Sequence, residues 1–270
     1  MRCFFVSDLH GNLNKYEKLF RTIYDEKPDV VLLGGDLLPR NNPNYFLFNF
    51  LESSLIKLKN ELKDAYPEIL LILGNNDPKT EEKYFIEISN KNLWHYIHNK
   101  QIEYHNYKFI GYSYSPPSPF MLKDWEKYDI STNVEEGCIS PENGITTTPV
   151  DDKEKFSTIK NDLDAINSED IKKSIFLFHA PPFKTNLDVI YDYNKKMNKH
   201  TGSKAIRKFI ENKQPYITLH GHIHESSRLS GSWKDKIGNT YCFSAAYDGN
   251  ELAIINFELD KPENATRVLI

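Results

Sequence analysis

The sequence predicts an α/β fold whose strands are mainly parallel. Its first ninety residues contain three strand-helix units in succession, and in each unit a short apolar run ends in polar residues before an amphipathic stretch begins. Strands that alternate with helices favour a parallel sheet covered by helices. In such sheets a site forms at the carboxyl ends of the strands, so the polar residues that follow each strand are the first candidates for function.

The three units have clear signals at their boundaries. Asn12 can cap the first helix, and an apolar stripe with three- and four-residue spacing starts at Leu13. Pro28 and Pro67 end the first two helices. The continuous apolar runs in the strands suit burial on both faces of a sheet. The units comprise strands over residues 2–6, 29–34 and 68–73 and helices over 12–27, 45–66 and 80–90.

The remainder of the chain repeats these patterns less regularly. Residues 115–149 are rich in Pro, Ser, Thr and Asn and have no period, so they are expected to form a long insertion over the surface, either a functional lid or a plain surface excursion. One domain over 1–270 is the simplest organisation. The other expected elements are two or three strands within 94–114, helices over 151–168 and from 202 onward, strands over 174–178 and 215–219, and antiparallel C-terminal strands over 241–245, 252–257 and 266–270.

Composition excludes several classes of function. Charged residues make up 27% of the chain and the formal net charge is −4, so neither an extended nucleic-acid groove nor a membrane surface is expected. No apolar run reaches the ~18 residues that span a bilayer. Cys3, Cys138 and Cys242 fit neither a disulfide framework nor a zinc ribbon. With a strand expected from residue 2, no room remains for a signal peptide, and we expect a cytoplasmic protein.

Candidate metal ligands follow the predicted strands. In Asp8-Leu9-His10, period-two geometry would point a carboxylate and an imidazole the same way, and such mixed ligands suit a transition metal. Asp and Asn also favour turns, and a histidine before two prolines can be a core residue, so each position alone is ambiguous. Seven candidates are too many for one tetrahedral ion and suit two ions that share a carboxylate. They are Asp8, His10, Asp36, Asn75, His179, His222 and His224.

The order of these motifs resembles that of the calcineurin-like metallophosphoesterases. Asp-x-His, Gly-Asp, Gly-Asn, His and Gly-His-x-His occur in register over residues 8–224. The resemblance implies a four-layer α/β/β/α sandwich with mixed sheets and two divalent metal ions, of which Mn, Fe, Zn, Ni and Co are all compatible with the ligands. It also implies that a metal-bridging hydroxide attacks a phosphoester. The implied ligands are Asp8, His10 and His224 for one metal, Asn75, His179 and His222 for the other, and Asp36 as the bridge.

One departure from the family pattern bears on the substrate. Asn76 stands where many members have a histidine, and asparagine cannot act as a general acid. Relatives without that histidine lean towards phosphodiesters, and the residues after Asp36 lack the Asp-Arg-Gly of protein phosphatases. We therefore expect a phosphodiesterase that acts on a small-molecule phosphoester, with nucleotides among the candidates. The alternatives are a phosphomonoesterase, a nucleotide or lipid pyrophosphohydrolase, or a catalytically silent scaffold; the oligomeric state stays open.

The sequence leaves open the roles of four residues in or near the motifs. The catalytic candidates are Asn75, which also belongs to the ligand set, and His200, which could donate a proton in place of the absent histidine. His220 is expected to be structural or to support the ligands. Asp77 could orient a neighbour or cap the following helix.

Overall fold

Two mixed sheets form the centre of the molecule. The computed structural model describes residues 1–166 and 171–270, and in these ranges it contains two six-stranded sheets and one two-stranded hairpin. The expected α/β fold is confirmed. The strands are β1 (Arg2–Val6), β2 (Val30–Gly34), β3 (Glu68–Ile72), β4 (His95–Tyr96), β5 (Gln101–Tyr104), β6 (Tyr107–Tyr112), β7 (Ser174–Phe178), β8 (Val189–Asp192), β9 (Met197–His200), β10 (Ile217–His220), β11 (Lys234–Ile237), β12 (Thr240–Ser244), β13 (Ala253–Glu258) and β14 (Thr266–Leu269).

Helices connect the strands and cover the sheets. Helix α1 has the predicted cap, because the side chain of Asn12 accepts a hydrogen bond from the backbone of Lys15. The second predicted helix is composite and contains a π-helical stretch, Leu47–Glu52. The α-helices are α1 (Leu13–Glu26), α2 (Pro43–Phe46), α3 (Ser53–Leu62), α4 (Glu82–Ser89), α5 (Asp152–Lys155), α6 (Ile159–Asp164), α7 (Lys204–Lys213) and α8 (Ser226–Ser230).

Each sheet has a parallel centre and antiparallel edges. The first sheet has the order β14-β13-β1-β2-β3-β4, in which β1 to β4 are parallel and β13 and β14 are antiparallel to their neighbours. The second has the order β11-β12-β10-β7-β6-β5, in which only the edge strands β11 and β5 pair antiparallel. The carboxyl ends of β1, β2, β3, β7 and β10 therefore carry the candidate ligands.

The two faces of each sheet belong to different cores. Phe5 of β1 lies in one buried cluster with Ile175 of β7, which is a strand of the other sheet. The adjacent residue, Phe4, lies in a second cluster with Leu19 of α1, and Phe176 of β7 belongs to that cluster with Phe209 of α7. Because successive side chains point to opposite faces, one core joins the sheets and the other joins sheets to helices. This produces the layer order α/β/β/α.

Two expectations about secondary structure were wrong. The C-terminal strands do not form one antiparallel unit, because β12 pairs parallel to β10 in the second sheet while β13 and β14 join the first. The helix expected over 151–168 is divided into α5 and α6: Thr158 caps α6, and Phe156 is 52% exposed instead of continuing an apolar stripe. Residues 167 and 168 of that expected helix lie outside the described residues.

No helix in the described ranges combines the length and the apolar character that crossing a membrane requires. The strands expected within 94–114 are present as β4, β5 and β6. The β8–β9 hairpin and β11 were not anticipated.

Part of the 115–149 segment is anchored in the core. Trp125 is fully buried, and the side chains of Lys123 and Glu126 form an ion pair with no solvent exposure. Glu126 accepts a hydrogen bond from the backbone nitrogen of Ser118 at 2.8 Å, and Lys123 donates to the carbonyl oxygen of the same residue at 2.9 Å. The ion pair thus holds the start of the segment in a defined place.

Replacing one partner of this buried pair should destabilise the protein. Lys123→Met leaves Glu126 without its counterion, and we expect the free energy of unfolding to fall by about 3 kcal/mol in urea denaturation. The matched control is Lys160→Met, which removes one partner of the exposed pair with Asp164 and should cost less than about 0.5 kcal/mol. Equal effects of the two substitutions would contradict the anchoring role.

Candidate metal centre

The seven candidate ligands meet at the carboxyl edges of both sheets. The first sheet contributes ligands after β1, β2 and β3, and the second contributes ligands after β7 and β10. The parallel arrangement brings these strand ends together although the residues are up to 216 positions apart. The residues are Asp8, His10, Asp36 and Asn75 from the first sheet and His179, His222 and His224 from the second.

Four of these residues have left-handed backbone conformations. The φ angles are 58° at Asp8, 47° at His10, 54° at Asp36 and 72° at His222. Non-glycine residues rarely adopt such angles, and where they do the surrounding structure must compensate a cost of about 1–3 kcal/mol each. The expected period-two geometry was therefore wrong: β1 already ends at Val6, and turns rather than a strand aim the Asp8 and His10 side chains.

The first ligand group combines two carboxylates and two imidazoles. The ligand atoms of Asp8, His10, Asp36 and His224 all lie within 4.8 Å of one another. His224 Nε2 is 3.2 Å from Asp8 Oδ1 and 3.3 Å from His10 Nε2. His10 Nε2 is 3.7 Å from Asp36 Oδ2.

The second ligand group surrounds an amide oxygen. Asn75 Oδ1 lies 2.9 Å from His179 Nε2 and 2.8 Å from His222 Nδ1. Asp36 Oδ1 lies 3.5 Å from His179 Nε2. Asp36 thus directs one oxygen towards each group.

The donor atoms of the second group fit a divalent cation. His179 Nδ1 donates to the carbonyl oxygen of Gly34 at 2.8 Å, so Nε2 of the neutral ring presents a lone pair to Asn75 Oδ1, which is itself an acceptor. Ligands of one cation with bonds of about 2.1 Å at right angles are separated by roughly 3 Å. Asn75 Nδ2 is buried and has no hydrogen-bond partner among the described residues, so hydrogen bonds of the amide group do not account for its buried position.

The electrostatics of the cluster also suit cations. Burial lowers the pKa of His224, but the nearby Asp8 charge and its hydrogen bond outweigh burial and raise that pKa to about 9. Burial likewise opposes ionisation of Asp8, yet the charges around it, chiefly that of His224, hold its pKa below the ordinary value. Burial and repulsion from His179 lower the pKa of His222 to about 3, which keeps a neutral imidazole available for a metal.

The family model described as calcineurin-like phosphoesterase matches residues 1–226. The chain belongs to this family. It is therefore a hydrolase that acts on phosphoester bonds, and its family is dependent on divalent metals. No protein with curated annotation matches the sequence closely enough to count as a relative.

Solved structures share the fold of this phosphoesterase at low identity. The protein TT1561 of Thermus thermophilus is 16% identical with a TM-score of 0.59, and the match covers 99% of this chain and 98% of that one. A dimetal phosphatase from Danio rerio, LOC 393393, is 11% identical with a TM-score of 0.52 over 95% and 91% of the two chains. Another structure is 14% identical with a TM-score of 0.61 over 99% and 98%.

The two residues that follow Asn75 in this phosphoesterase form hydrogen bonds around Asp36. The backbone nitrogen of Asn76 donates to Asp36 Oδ1 at 2.8 Å, and its side-chain amide donates to Oδ2 at 2.6 Å. Asp77 accepts hydrogen bonds from the backbone nitrogens of Leu37, Leu38 and Gly74, and so ties the loops after β2 and β3 together. The Asn76 contact had no signal in the sequence beyond adjacency to a ligand.

The two remaining histidines of interest lie apart from the ligands. His220 Nδ1 is 2.9 Å from the carbonyl oxygen of Ala180 and its Nε2 is 2.8 Å from Thr218 Oγ1, in keeping with a structural role. His200 Nδ1 is 2.7 Å from Asp188 Oδ1, and its ring lies beside Phe183. Although Ile190 of the same hairpin lines the cavity beside the candidate ligands, His200 is neither among the lining residues nor in the described cluster, and its ring is held by Asp188.

A cavity opens beside the ligands. It has a volume of about 600 Å³ and is lined by His10, His222 and His224 together with Asn76 and Arg40. Arg40 was not singled out in the sequence as a functional residue, although it lies four positions after Asp36. The other lining residues come mainly from the 115–149 segment, the β8 strand and the loop after β10.

The close approach of the loops requires glycine after β3. A Cβ added to Gly74 would lie 2.5 Å from His179 Cε1 and closer still to Asp36 Oδ1. We expect Gly74→Ala to displace these two ligands and to weaken Mn²⁺ binding by roughly 10–100-fold in isothermal titration calorimetry, with the circular dichroism spectrum retained. Gly231→Ala is the control: it strains a left-handed backbone with φ 78°, but its Cβ meets nothing within 4 Å, so Mn²⁺ affinity should stay unchanged. Unchanged affinity in Gly74→Ala would show that the site tolerates displacement of both ligands.

Proposed function

We propose that this phosphoesterase is a phosphodiesterase that holds two divalent cations. The observation that carries the proposal is the position of Asp36, whose two carboxylate oxygens face separate ligand groups. Asp8, His10 and His224 would hold one cation, and Asn75, His179 and His222 would hold the other.

Each part of the site has a distinct task in this proposal. When bound, two such cations would supply an activated water and positive charge next to the phosphoryl group. Asn76 holds both oxygens of the Asp36 carboxylate, one through its backbone and one through its side chain. Arg40 lines the same cavity and can bind a non-bridging phosphoryl oxygen. Asn75 would hold a cation through Oδ1 and would thereby belong to the catalytic centre.

The proposed preference for diesters rests on two residues that line the cavity, Asn76 and Arg40. Asn76 cannot supply a proton to a leaving group. Among the described residues that line the cavity, Arg40 is the one cationic side chain apart from the histidines. A diester monoanion needs less charge compensation there than a monoester dianion, because it carries one negative charge fewer. Both features favour phosphodiesters with leaving groups that depart without general acid catalysis.

Specific observations bear on the alternative functions. The fold is shared with a protein described as a dimetal phosphatase, which favours a phosphomonoesterase, and a pyrophosphohydrolase acting on a nucleotide or lipid diphosphate would use the same ligands. A silent scaffold is expected to have lost at least one ligand, whereas all seven are present.

The ligands accept Mn, Fe, Zn, Ni or Co. We further propose a cytoplasmic location, on the grounds that all three cysteines are free.

Metal addition tests the function directly. Metal-free protein should hydrolyse bis(p-nitrophenyl) phosphate only after Mn²⁺ or another of these ions is added, and kcat/KM should exceed that for p-nitrophenyl phosphate. Asp36→Asn and His222→Ala should each lower kcat by about 100-fold or more, because either change removes a charge or ligand from the centre. His95→Ala is the matched control: that histidine bonds to Glu68 on the surface and should leave kcat unchanged.

Three results would count against parts of the proposal. Absence of hydrolysis with every divalent ion would refute an enzyme of this class. Faster hydrolysis of the monoester would favour the phosphomonoesterase. Activity that survives both ligand substitutions would place the chemistry elsewhere.

His200 allows a separate test. Its ring is bonded to Asp188 and it is not among the residues that line the cavity, so we expect His200→Ala to change turnover by the same factor for substrates with good and poor leaving groups. The measurement is kcat for a series of aryl phosphodiesters of increasing leaving-group pKa. A loss that grows with leaving-group pKa would restore His200 as the proton donor.

A further inference from the structure

An apolar surface makes up most of the cavity beyond the ligands. We call it the apolar wall: it consists of three prolines, one phenylalanine and two isoleucines. Phosphate itself needs none of these residues. The apolar wall consists of Pro116, Pro117, Pro119, Phe120, Ile190 and Ile223.

The apolar wall is formed by three separate parts of the chain. Its proline-rich stretch begins the 115–149 segment, Ile190 belongs to β8, and Ile223 lies between the ligands His222 and His224. Ile223 connects the wall directly to the metal centre.

The apolar wall is held in place before any substrate binds. Ser118 lies among its prolines, and the buried Lys123–Glu126 pair fixes both the backbone nitrogen and the carbonyl oxygen of Ser118. The same carbonyl oxygen accepts a hydrogen bond from Ile139 at 3.0 Å. Prolines have no backbone N–H, so Pro116, Pro117 and Pro119 cannot donate a main-chain hydrogen bond to a phosphate or another acceptor.

Exposure of the wall implies an apolar occupant. The Phe120 side chain is 51% exposed although it lines a concave site next to the metal ligands. A cavity that combines apolar walls with a few convergent polar groups is typical of ligand sites. Each methylene group removed from water there contributes up to about 0.8 kcal/mol of binding energy.

The charges of the cavity beyond the metal centre limit the number of phosphates. The two proposed cations would compensate the charge of the phosphate that they bind. For any further phosphate of a polyphosphate chain, the charged side chains that line the cavity apart from the ligand histidines are Arg40 and Glu225, whose charges cancel. A substrate with a single phosphate and an uncharged substituent fits this lining better.

We propose that the substrate is a phosphodiester with a bulky apolar substituent, which binds against the apolar wall while its phosphate lies at the metal centre. This inference rests on the proposed function and specifies its substrate class. The substituent is either an alkyl chain or a planar aromatic group, since both bury apolar surface against proline, phenylalanine and isoleucine.

The surroundings also limit the length of the substituent. A second cavity shares Pro119, Cys138, Ile190 and Thr201 with the first. Its further lining is charged, from Glu135, Glu136, Asp192, Lys195 and Lys199. An alkyl chain that grows beyond the apolar wall enters this charged region, so the gain from added methylenes ends there.

A series of p-nitrophenyl alkyl phosphodiesters, from methyl to decyl, tests the proposal on the Mn²⁺-loaded enzyme. We expect kcat/KM to rise by about two- to fourfold per methylene at first, mainly through KM, and then to level off. Phenyl and naphthyl esters form the aromatic arm, and whichever arm gives the higher kcat/KM identifies the substituent.

Substitutions in the wall should change this dependence. Phe120→Ala and Ile190→Ala should lower kcat/KM for hexyl or naphthyl esters at least threefold more than for the methyl ester. Phe120→Leu, which retains more apolar volume, should be intermediate. Phe156→Ala is the matched control, because Phe156 is exposed to a similar degree but packs against Tyr128 outside the cavity.

The outcomes separate this inference from the proposed function. Hydrolysis of all esters with no dependence on substituent size, or the same dependence in Phe120→Ala as in the control, overturns the inference and leaves the phosphodiesterase intact. No hydrolysis of any ester overturns the proposed function. In that case, calorimetric binding of non-hydrolysable n-alkyl phosphonates still tests the wall: affinity that rises with chain length supports it, and affinity independent of length refutes it.

Discussion

The carboxylate of Asp36 is the constraint on which the centre depends. It is almost fully buried, and a buried negative charge is costly unless it is compensated by cations or hydrogen bonds. Asn76 donates to both of its oxygens, while His10 and His179 approach from opposite ligand groups. The loops after β1, β2, β3, β7 and β10 must therefore keep their relative positions for this charge to be tolerated.

The fold meets that constraint with dense packing at the strand ends. Gly74 lets the loop after β3 contact the loop after β2, and Asp77 fastens both with three backbone hydrogen bonds. Left-handed backbone at ligands such as Asp8 and His222 costs energy, which the two apolar cores on either face of the sheets offset. Packing in the rest of the molecule therefore keeps these strained residues in the conformations that orient the candidate ligands.

In our proposals the reaction and the choice of substrate rest on different parts of the chain. The proposed metal centre lies at strand ends of the two sheets, and phosphoester hydrolysis is the property of the family. The apolar wall is formed by a segment without regular period, by the β8 strand and by Ile223. Because functions are grafted onto a shared scaffold, the proposed role of the wall would allow sequence changes there to alter specificity without altering the candidate ligands.

The sequence by itself determined which segments form the buried central strands, because continuous apolar runs between glycine and proline are a local pattern, and it supplied the candidate ligands and their order; the exposed strands β8, β9 and β11 lack such runs. Only the tertiary structure decided how they are used. The parallel pairing of β12, the turns that aim Asp8 and His10, the contact of Asn76 with Asp36 and the wall around Phe120 all depend on residues distant in sequence. Such contacts follow from packing the whole chain, which no local pattern encodes.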